Sequence, residues 1–325
     1  MKKNVFKKIV AGALCLGLTA SLAACNSGKK DIPVIGIAQY GEHGSLDNCR
    51  EGFLQGLEKA GLTEGVDYTL DVQNASFDDA IDSQIAQKFA DENVSLMVGI
   101  ATPSAQACFN AAEEKDIPVI FTAVTDPVGA KLDTGNVTGT SDVLPVEGQL
   151  QLIRALQPDA KTIGIIYTTS ESNSLYSIEQ YEKLAGDYGF TIDAVAVTAQ
   201  AEVTQAVDKL LADKVDCLSN LTDNNVVGVL PAILEKTDAA GIPVYGSEVE
   251  QVKLGCAAGA GLDYVKLGIQ TGEMAAKVLK GEAKCQDLPY EIIVDYDLYV
   301  NSQVLAALGL ELPADLADTA VECGA

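Results

Sequence analysis

The sequence predicts an α/β protein built from two similar doubly wound parallel-sheet lobes joined by a multi-strand hinge. Three observations predict it. Short apolar runs alternate with amphipathic stretches of helical length, the pattern of parallel strands covered by helices on both faces. The alternation occurs twice in the same order, offset by about 125 residues. At 325 residues, with 48% hydrophobic and 21% charged side chains, the chain exceeds one ordinary domain and can pack two cores.

In the first half, residues 34–38 read as a strand and 46–60 as a helix with apolar positions at helical spacing, stopped by Gly61. Strand 68–72, helix 78–91, strand 95–101, helix 104–115 and strand 117–123 follow. In the second half, the run 161–167 repeats the pattern of 33–38, and the helices that follow close at Gly189 and Gly61 respectively. The run 116–121 is echoed by 241–245, each after a helix. A repeat this long is a duplicated domain, since a solenoid has a shorter period. The linker falls near 141–147, carries Pro145 and leads into a helix at 146–156. A Gly/Ala-rich run at 255–261, a long helix at 264–279, a strand-like stretch at 290–300 and a short helix at 302–308 are surplus to the repeat. They are expected to cross between lobes, giving one lobe of 33–144 plus roughly 262–290 and another of 145–261 plus roughly 291–325.

Residues 1–24 read as a secretion signal. Lys2, Lys3, Lys7 and Lys8 precede an apolar stretch too short for a comfortable membrane span. The segment closes on Leu22-Ala23-Ala24-Cys25, which resembles the lipobox of bacterial lipoproteins, with Cys25 as the lipidated residue and 25–32 as a tether. An uncleaved anchor is the rival reading, and the polar run Asn26-Ser27-Gly28-Lys29-Lys30 speaks against it. The expected location is therefore the outer face of the cell membrane, held by lipid. Loss of the four signal lysines takes the net charge from −24 to −28. A surface that acidic repels phosphate backbones, so no nucleic-acid partner is expected.

Six cysteines remain beyond Cys25: Cys49, Cys108, Cys217, Cys256, Cys285 and Cys323. No C-x-x-C pair and a single histidine leave no zinc pattern, and neither metal nor cofactor is expected. Free thiols and disulfides both stay open. The chain lacks a G-x-S-x-G elbow, a phosphate loop, a G-x-G-x-x-G turn and an H-E-x-x-H helix, so catalysis is not expected.

Ligands of open parallel sheets sit beyond the carboxyl ends of the strands, where helix N-termini offer free N–H groups. That places the candidates in strand-end loops: Gln39, Tyr40, Glu42 and His43 after the first strand, and Thr102, Ser104 and Ala105 after the third. Ala123, Thr125 and Asp126 follow the fourth. In the second lobe they are Glu171, Asn173 and Ser174, then Asp223 and Asn224, then Glu248. Thr102 suits an N-cap and Pro103 the first helical position, a turn fit to receive a carboxylate. One lobe then offers helix N-termini and the other carboxylates, which is what a zwitterion needs. Each residue also has a plainer use: a helix cap for Thr102 and Asp223, a solvated charge for Glu248, a structural hydrogen bond for His43.

Glu42-His43 with Leu46-Asp47, Gln73-Asn74-Ala75, Ile100-Ala101-Thr102-Pro103, Ala123-Val124-Thr125-Asp126-Pro127, Asn136-Val137-Thr138-Gly139, Glu171-Ser172-Asn173-Ser174, Thr222-Asp223-Asn224 and Gly261-Leu262-Asp263-Tyr264 carry a resemblance. So do Leu267-Gly268 and Thr271-Gly272-Glu273-Met274. In order along nearly the whole mature chain, they resemble the substrate-binding lipoproteins of ABC transporters related to tryptophan and tyrosine uptake. The resemblance implies a type I periplasmic-binding-protein fold, an aromatic amino acid as ligand, and delivery to a permease driven by a separate ATPase; a monomer is expected. Gly44-Ser45 departs from the Pro-Ala of many relatives, and the absence of Trp leaves Tyr or Phe as any stacking partner. On this reading the ligand carboxylate meets the Thr102–Ser104 turn and Thr125, and its ammonium meets Asp223 or Glu248. A nucleoside or sugar receptor, and a ligand sensor feeding a signalling partner, are the alternatives.

Overall fold

The structure, a computed structural model, describes residues 32–324. The segment read from the sequence as a secretion signal, the cysteine expected to carry lipid, Cys25, and the expected tether up to residue 31 lie outside the described residues. The first lobe runs β1 (Val34–Gln39), α1 (Gly44–Lys59), β2 (Thr69–Asn74), α2 (Asp79–Glu92), β3 (Leu96–Ile100), α3 (Thr102–Ala112), β4 (Val119–Thr122) and β5 (Val137–Ser141). The chain then crosses into α4 (Val146–Leu156), β6 (Thr162–Thr168), α5 (Ser172–Leu184), β7 (Thr191–Val197), α6 (Val203–Asp213) and β8 (Cys217–Ser219). After these come α7 (Asn224–Val227), α8 (Leu230–Ala240), β9 (Val244–Glu248), α9 (Val249–Leu254) and β10 (Ala258–Leu262). It closes with α10 (Tyr264–Leu279), β11 (Glu291–Ile292), β12 (Asp297–Val300), α11 (Ser302–Leu308), α12 (Ala314–Ala317) and β13 (Val321–Glu322).

The duplication is explicit in the sheets. One has the order β2-β1-β3-β4-β5-β11 and the other β7-β6-β8-β9-β10-β12-β13. β1, β3 and β4 are buried almost throughout, which is why they read as unbroken apolar runs rather than alternating ones. Both sheets are parallel except where β12 runs antiparallel to β10. The chain leaves β1 in one direction for β2 and returns on its other side for β3, and does the same around β6, so each lobe has a switch point at its strand ends.

The stretch 290–300 is not one strand. Glu291 and Ile292 pair with Thr140 and Ser141 in the first sheet, and Ile293 N–H still donates to the Ser141 carbonyl. Asp297–Val300 pairs with β10 in the second. Residues 293–296 therefore cross between lobes, and the first lobe extends slightly past the position 290 expected from sequence.

α1 and α10 meet backbone to backbone. A Cβ on Gly52 would lie 2.2 Å from the Val265 carbonyl oxygen, and one on Gly268 would lie 2.3 Å from that of Cys49. Gly56 and Gly272 repeat the arrangement one turn on. Only glycine permits so close an approach, and it locks the two helices into one unit. The second lobe packs one apolar cluster against α4, α5 and α11 and another against α6 and α8. Five of the six described cysteines are buried, Cys323 is partly exposed, and all six are free thiols. No helix among the described residues is long and apolar enough to cross a membrane.

Candidate functional site

The strand ends of the two lobes line one shared cavity. From the first lobe it is lined by His43, Ser45 and Leu46 at the start of α1, Ala123 after β4, Asp142 after β5, and Tyr264 at the start of α10. From the second lobe come Thr222, Asn224, Val227, Glu248 and Gln251. The glycine-locked pair α1–α10 thus places Ser45, Leu46 and Tyr264 on the cavity from one rigid body. The lobes also touch directly: Asn48 Nδ2 donates to Glu250 Oε1 at 3.0 Å, His43 Nε2 lies 3.4 Å from Asn224 Oδ1, and the hydroxyls of Thr125 and Thr222 are 3.4 Å apart.

Two carboxylates face this cavity, one from each lobe, and its lining holds no lysine or arginine. Asp142 accepts from Thr125 Oγ1 at 3.1 Å and from Tyr264 Oη at 2.5 Å. Burial raises it to about 6 against the pull of those two bonds. Glu248 caps α9, accepting from the backbone N–H groups of Glu250 at 2.6 Å and Gln251 at 2.9 Å, with the Ser45 hydroxyl reaching it from the other lobe. Burial raises it to about 7. Sequence reasoning misses Asp142 and Tyr264, because the bond between them joins the hinge to a helix 122 residues away. The signal available is a carboxylate directly after a strand.

The remaining candidates sort by what already holds them. Asp223 is not free for a ligand ammonium: it accepts from Thr168 N–H at 2.6 Å, Thr168 Oγ1 at 2.9 Å, Ser174 Oγ at 2.7 Å and Val226 N–H at 3.0 Å. It does not line the cavity, and its alternative reading as a helix cap is the one the structure supports. Glu171 lies in a cage of donors, accepting from the backbone and side-chain N–H groups of Asn224 and Asn225 and from Asn173 Nδ2. Burial and the neighbouring Asp223 raise it to about 8. Gln39 binds the Gly41 carbonyl and Asp47, Tyr40 donates to Asp79 Oδ1, and Asp126 caps the turn at Gly129. Glu42 is exposed. Asn173 donates to the Thr222 carbonyl as well as to Glu171.

The turn after β3 departs from its expected geometry. Ala101, not Thr102, is the N-cap, with φ 82° and ψ 157°, a conformation that strongly favours glycine. Thr102 occupies the first helical position, its hydroxyl buried without a partner. Ser104 spends its hydroxyl on the buried Asp82 at 2.8 Å, and Ala105 packs its backbone against Gly99. Thr102, Ser104 and Ala105 do not line the cavity, but Ala101 is bonded to Thr122, one residue from Ala123, which does. Ala123 is itself left-handed, at φ 56°. Backbone strain at two neighbouring strand ends marks these loops as held in place by their surroundings.

Two switch-point sheets closing on a polar cavity define a two-lobed solute-binding protein. A family model for ABC transporter substrate binding proteins matches residues 34–323, and the chain belongs to that family. It is similar to the tyrosine-binding protein of Clostridioides difficile (strain R20291), 37% identical over 330 residues that span 96% of this chain and 94% of that one. Among solved structures it resembles an ABC domain from Streptococcus pneumonia in complex with L-Trp, 33% identical with a TM-score of 0.86, covering 90% of this chain and 99% of that one. The ligand-free, open structure of a substrate-binding protein with adhesive properties from Clostridium difficile is 40% identical over 90% of this chain and 99% of that one, with a TM-score of 0.66. Higher identity thus accompanies the lower structural match, and the interlobe bonds described above give the present chain a closed form. The resemblance read from the motifs holds for the family and for the type I periplasmic-binding-protein fold.

Proposed function

We propose that this protein is the receptor of an ABC importer for an aromatic amino acid, tyrosine or tryptophan, held between the lobes with its ammonium group between Asp142 and Glu248. The single observation that carries this reading is the pair of buried carboxylates, one per lobe, on a cavity with no basic residue in its lining. Two such groups facing one space call for a cation, and an ammonium between them supplies three donors to bridge the lobes. The expectation that only the second lobe contributes carboxylates is replaced by one from each. The acid end of the ligand is assigned to the strand end at Ala123, which lines the cavity and has the first turn of α3 behind it through the bond from Ala101 N–H to the Thr122 carbonyl. The names of the relatives support the aromatic class.

The ligand stabilises the closed form because half of its contacts exist only there. The closed form is then what a permease and its ATPase recognise. A lipid on Cys25 holds the receptor at the outer face of the membrane, where it works as a monomer. Titration calorimetry of the mature protein against the twenty amino acids, nucleosides and sugars tests the reading. Heat from L-tyrosine or L-tryptophan supports it, and heat from sugars or nucleosides alone removes it.

A further inference from the structure

The chain has one histidine, and it lines the cavity. His43 precedes α1, stacks nearly parallel to Phe77 at 6.3 Å between ring centroids, and reaches Asn224 of the opposite lobe through Nε2. Its Nδ1 is buried and has no partner. Which nitrogen carries the proton follows from the second lobe. Asn224 donates its Nδ2 to Glu171 Oε2 at 2.7 Å, so the atom it turns to His43 is the acceptor Oδ1. Each oxygen of Glu171 accepts a backbone N–H, from Asn224 and from Asn225, and these two donors favour the ionised carboxylate against the burial that raises it. Glu171 therefore fixes the Asn224 amide, and the amide requires a proton on His43 Nε2. Nδ1 is then a bare, buried acceptor on a residue that lines the cavity. Burial lowers His43 to about 4, which keeps the ring neutral at physiological pH.

We propose that His43 selects the ligand, accepting at Nδ1 a hydrogen bond from a donor on the ligand's ring, the phenolic O–H of tyrosine or the indole N–H of tryptophan, with Glu171 and Asn224 as positioning residues for its tautomer. This rests on the aromatic amino-acid reading above and goes beyond it by separating ligands of the same class. Phenylalanine would fill the space and leave the buried nitrogen unpaired, and a site built to pair a polar group rejects the analogue that lacks it.

The test is calorimetry of the wild-type protein, His43→Phe and Glu171→Gln with L-tyrosine, L-tryptophan and L-phenylalanine, together with ¹⁵N NMR of the single imidazole. Wild type is expected to bind tyrosine and tryptophan at least about tenfold tighter than phenylalanine. His43→Phe, which keeps a ring on Phe77, is expected to lose that preference by weakening tyrosine and tryptophan alone. Glu171→Gln is expected to narrow the preference, whereas a purely structural role would weaken all three ligands equally. In the wild type, NMR is expected to show an Nε2–H imidazole whose Nδ1 resonance moves with tyrosine and not with phenylalanine. Equal binding of phenylalanine by wild type, an unchanged preference in His43→Phe, equal weakening of all three ligands in Glu171→Gln, or a protonated Nδ1 overturns the proposal and leaves the receptor reading standing. Failure of every aromatic amino acid to bind overturns both.

Discussion

Asp142 and Glu248 approach one cavity from opposite lobes, each already holding hydrogen-bond donors of its own fold. Asp142 is fixed by a threonine and a tyrosine, Glu248 by the N-terminus of α9. Each carboxylate is oriented before a ligand arrives, and the missing partner for both is positive.

Asp142→Asn and Glu248→Gln are each expected to weaken binding of the amino acid by about 10- to 100-fold, the range for a lost hydrogen bond to a charged group. The empty variants should melt no lower than wild type, because each substitution removes a buried charge that lacks a counter-ion. Calorimetry and thermal unfolding of the same samples check both halves. Variants that bind normally but melt lower would assign these carboxylates to the fold instead.

The same two groups set a pH dependence of opposite sign for folding and for binding. Burial raises Asp142 to about 6 and Glu248 to about 7, above the ~3.9 and ~4.3 of an unfolded chain. Their contribution to stability is full below the unfolded values and is lost as pH rises through the folded ones. Asp82 and Glu171 shift in the same direction, and His43, lowered to about 4, opposes them. The empty protein should therefore melt higher at pH 5 than at pH 8. An ammonium ligand needs the ionised carboxylates, so its affinity should rise over the same interval. Calorimetric scans at both pH values, with and without ligand, decide it; an empty protein that is stabilised by raising the pH contradicts the assignment.

The fold is legible in the sequence wherever burial leaves a one-dimensional trace. Strands covered on both faces, such as Leu96–Ile100, appear as apolar runs, and helices such as Val146–Leu156 and Tyr264–Leu279 appear with their observed bounds. The hinge does not, because Glu291–Ile292 and Asp297–Val300 form one continuous strand-like run and only the partner sheets separate them. The site is legible in part. Strand-end reasoning finds Ala123, Asn224 and Glu248 on the cavity. It offers Asp223 and Glu171 on equal terms, since charge and loop position look alike whether a carboxylate faces a ligand or a cage of N–H donors. Asp142 and Tyr264 become visible only when distant segments meet.

The glycine contact between α1 and α10 gives a prediction about stability that reaches the site. Gly52→Ala places a methyl 2.2 Å from the Val265 carbonyl, and no flexible side chain is there to yield. The helices must part, at a cost of about 1–3 kcal/mol for overpacking, and Tyr264 should shift relative to Ser45. Urea unfolding should show the loss, and ligand affinity should fall with it. Gly61→Ala serves as the comparison, since it strains φ at +82° with nothing within 4 Å of the new methyl, and should cost about 1 kcal/mol without touching binding.

Strain at Ala101 gives the reverse prediction. At φ 82° and ψ 157° an alanine is held where only glycine rests easily, a conformation worth about 1–3 kcal/mol. Ala101→Gly relieves it, while the added freedom of the unfolded chain returns about 0.4–1 kcal/mol. The net expectation is a protein more stable by about 1 kcal/mol. The cost should fall on binding: Ala101 ends β3 and sets the first turn of α3, so a glycine there lets that turn move, and ordering it again draws on the affinity for the ligand's acid end. Stability from urea unfolding and affinity from calorimetry should move in opposite directions. A glycine variant that is less stable than wild type would show that the turn is comfortable as it stands and that the conformation at Ala101 stores nothing for the site to use.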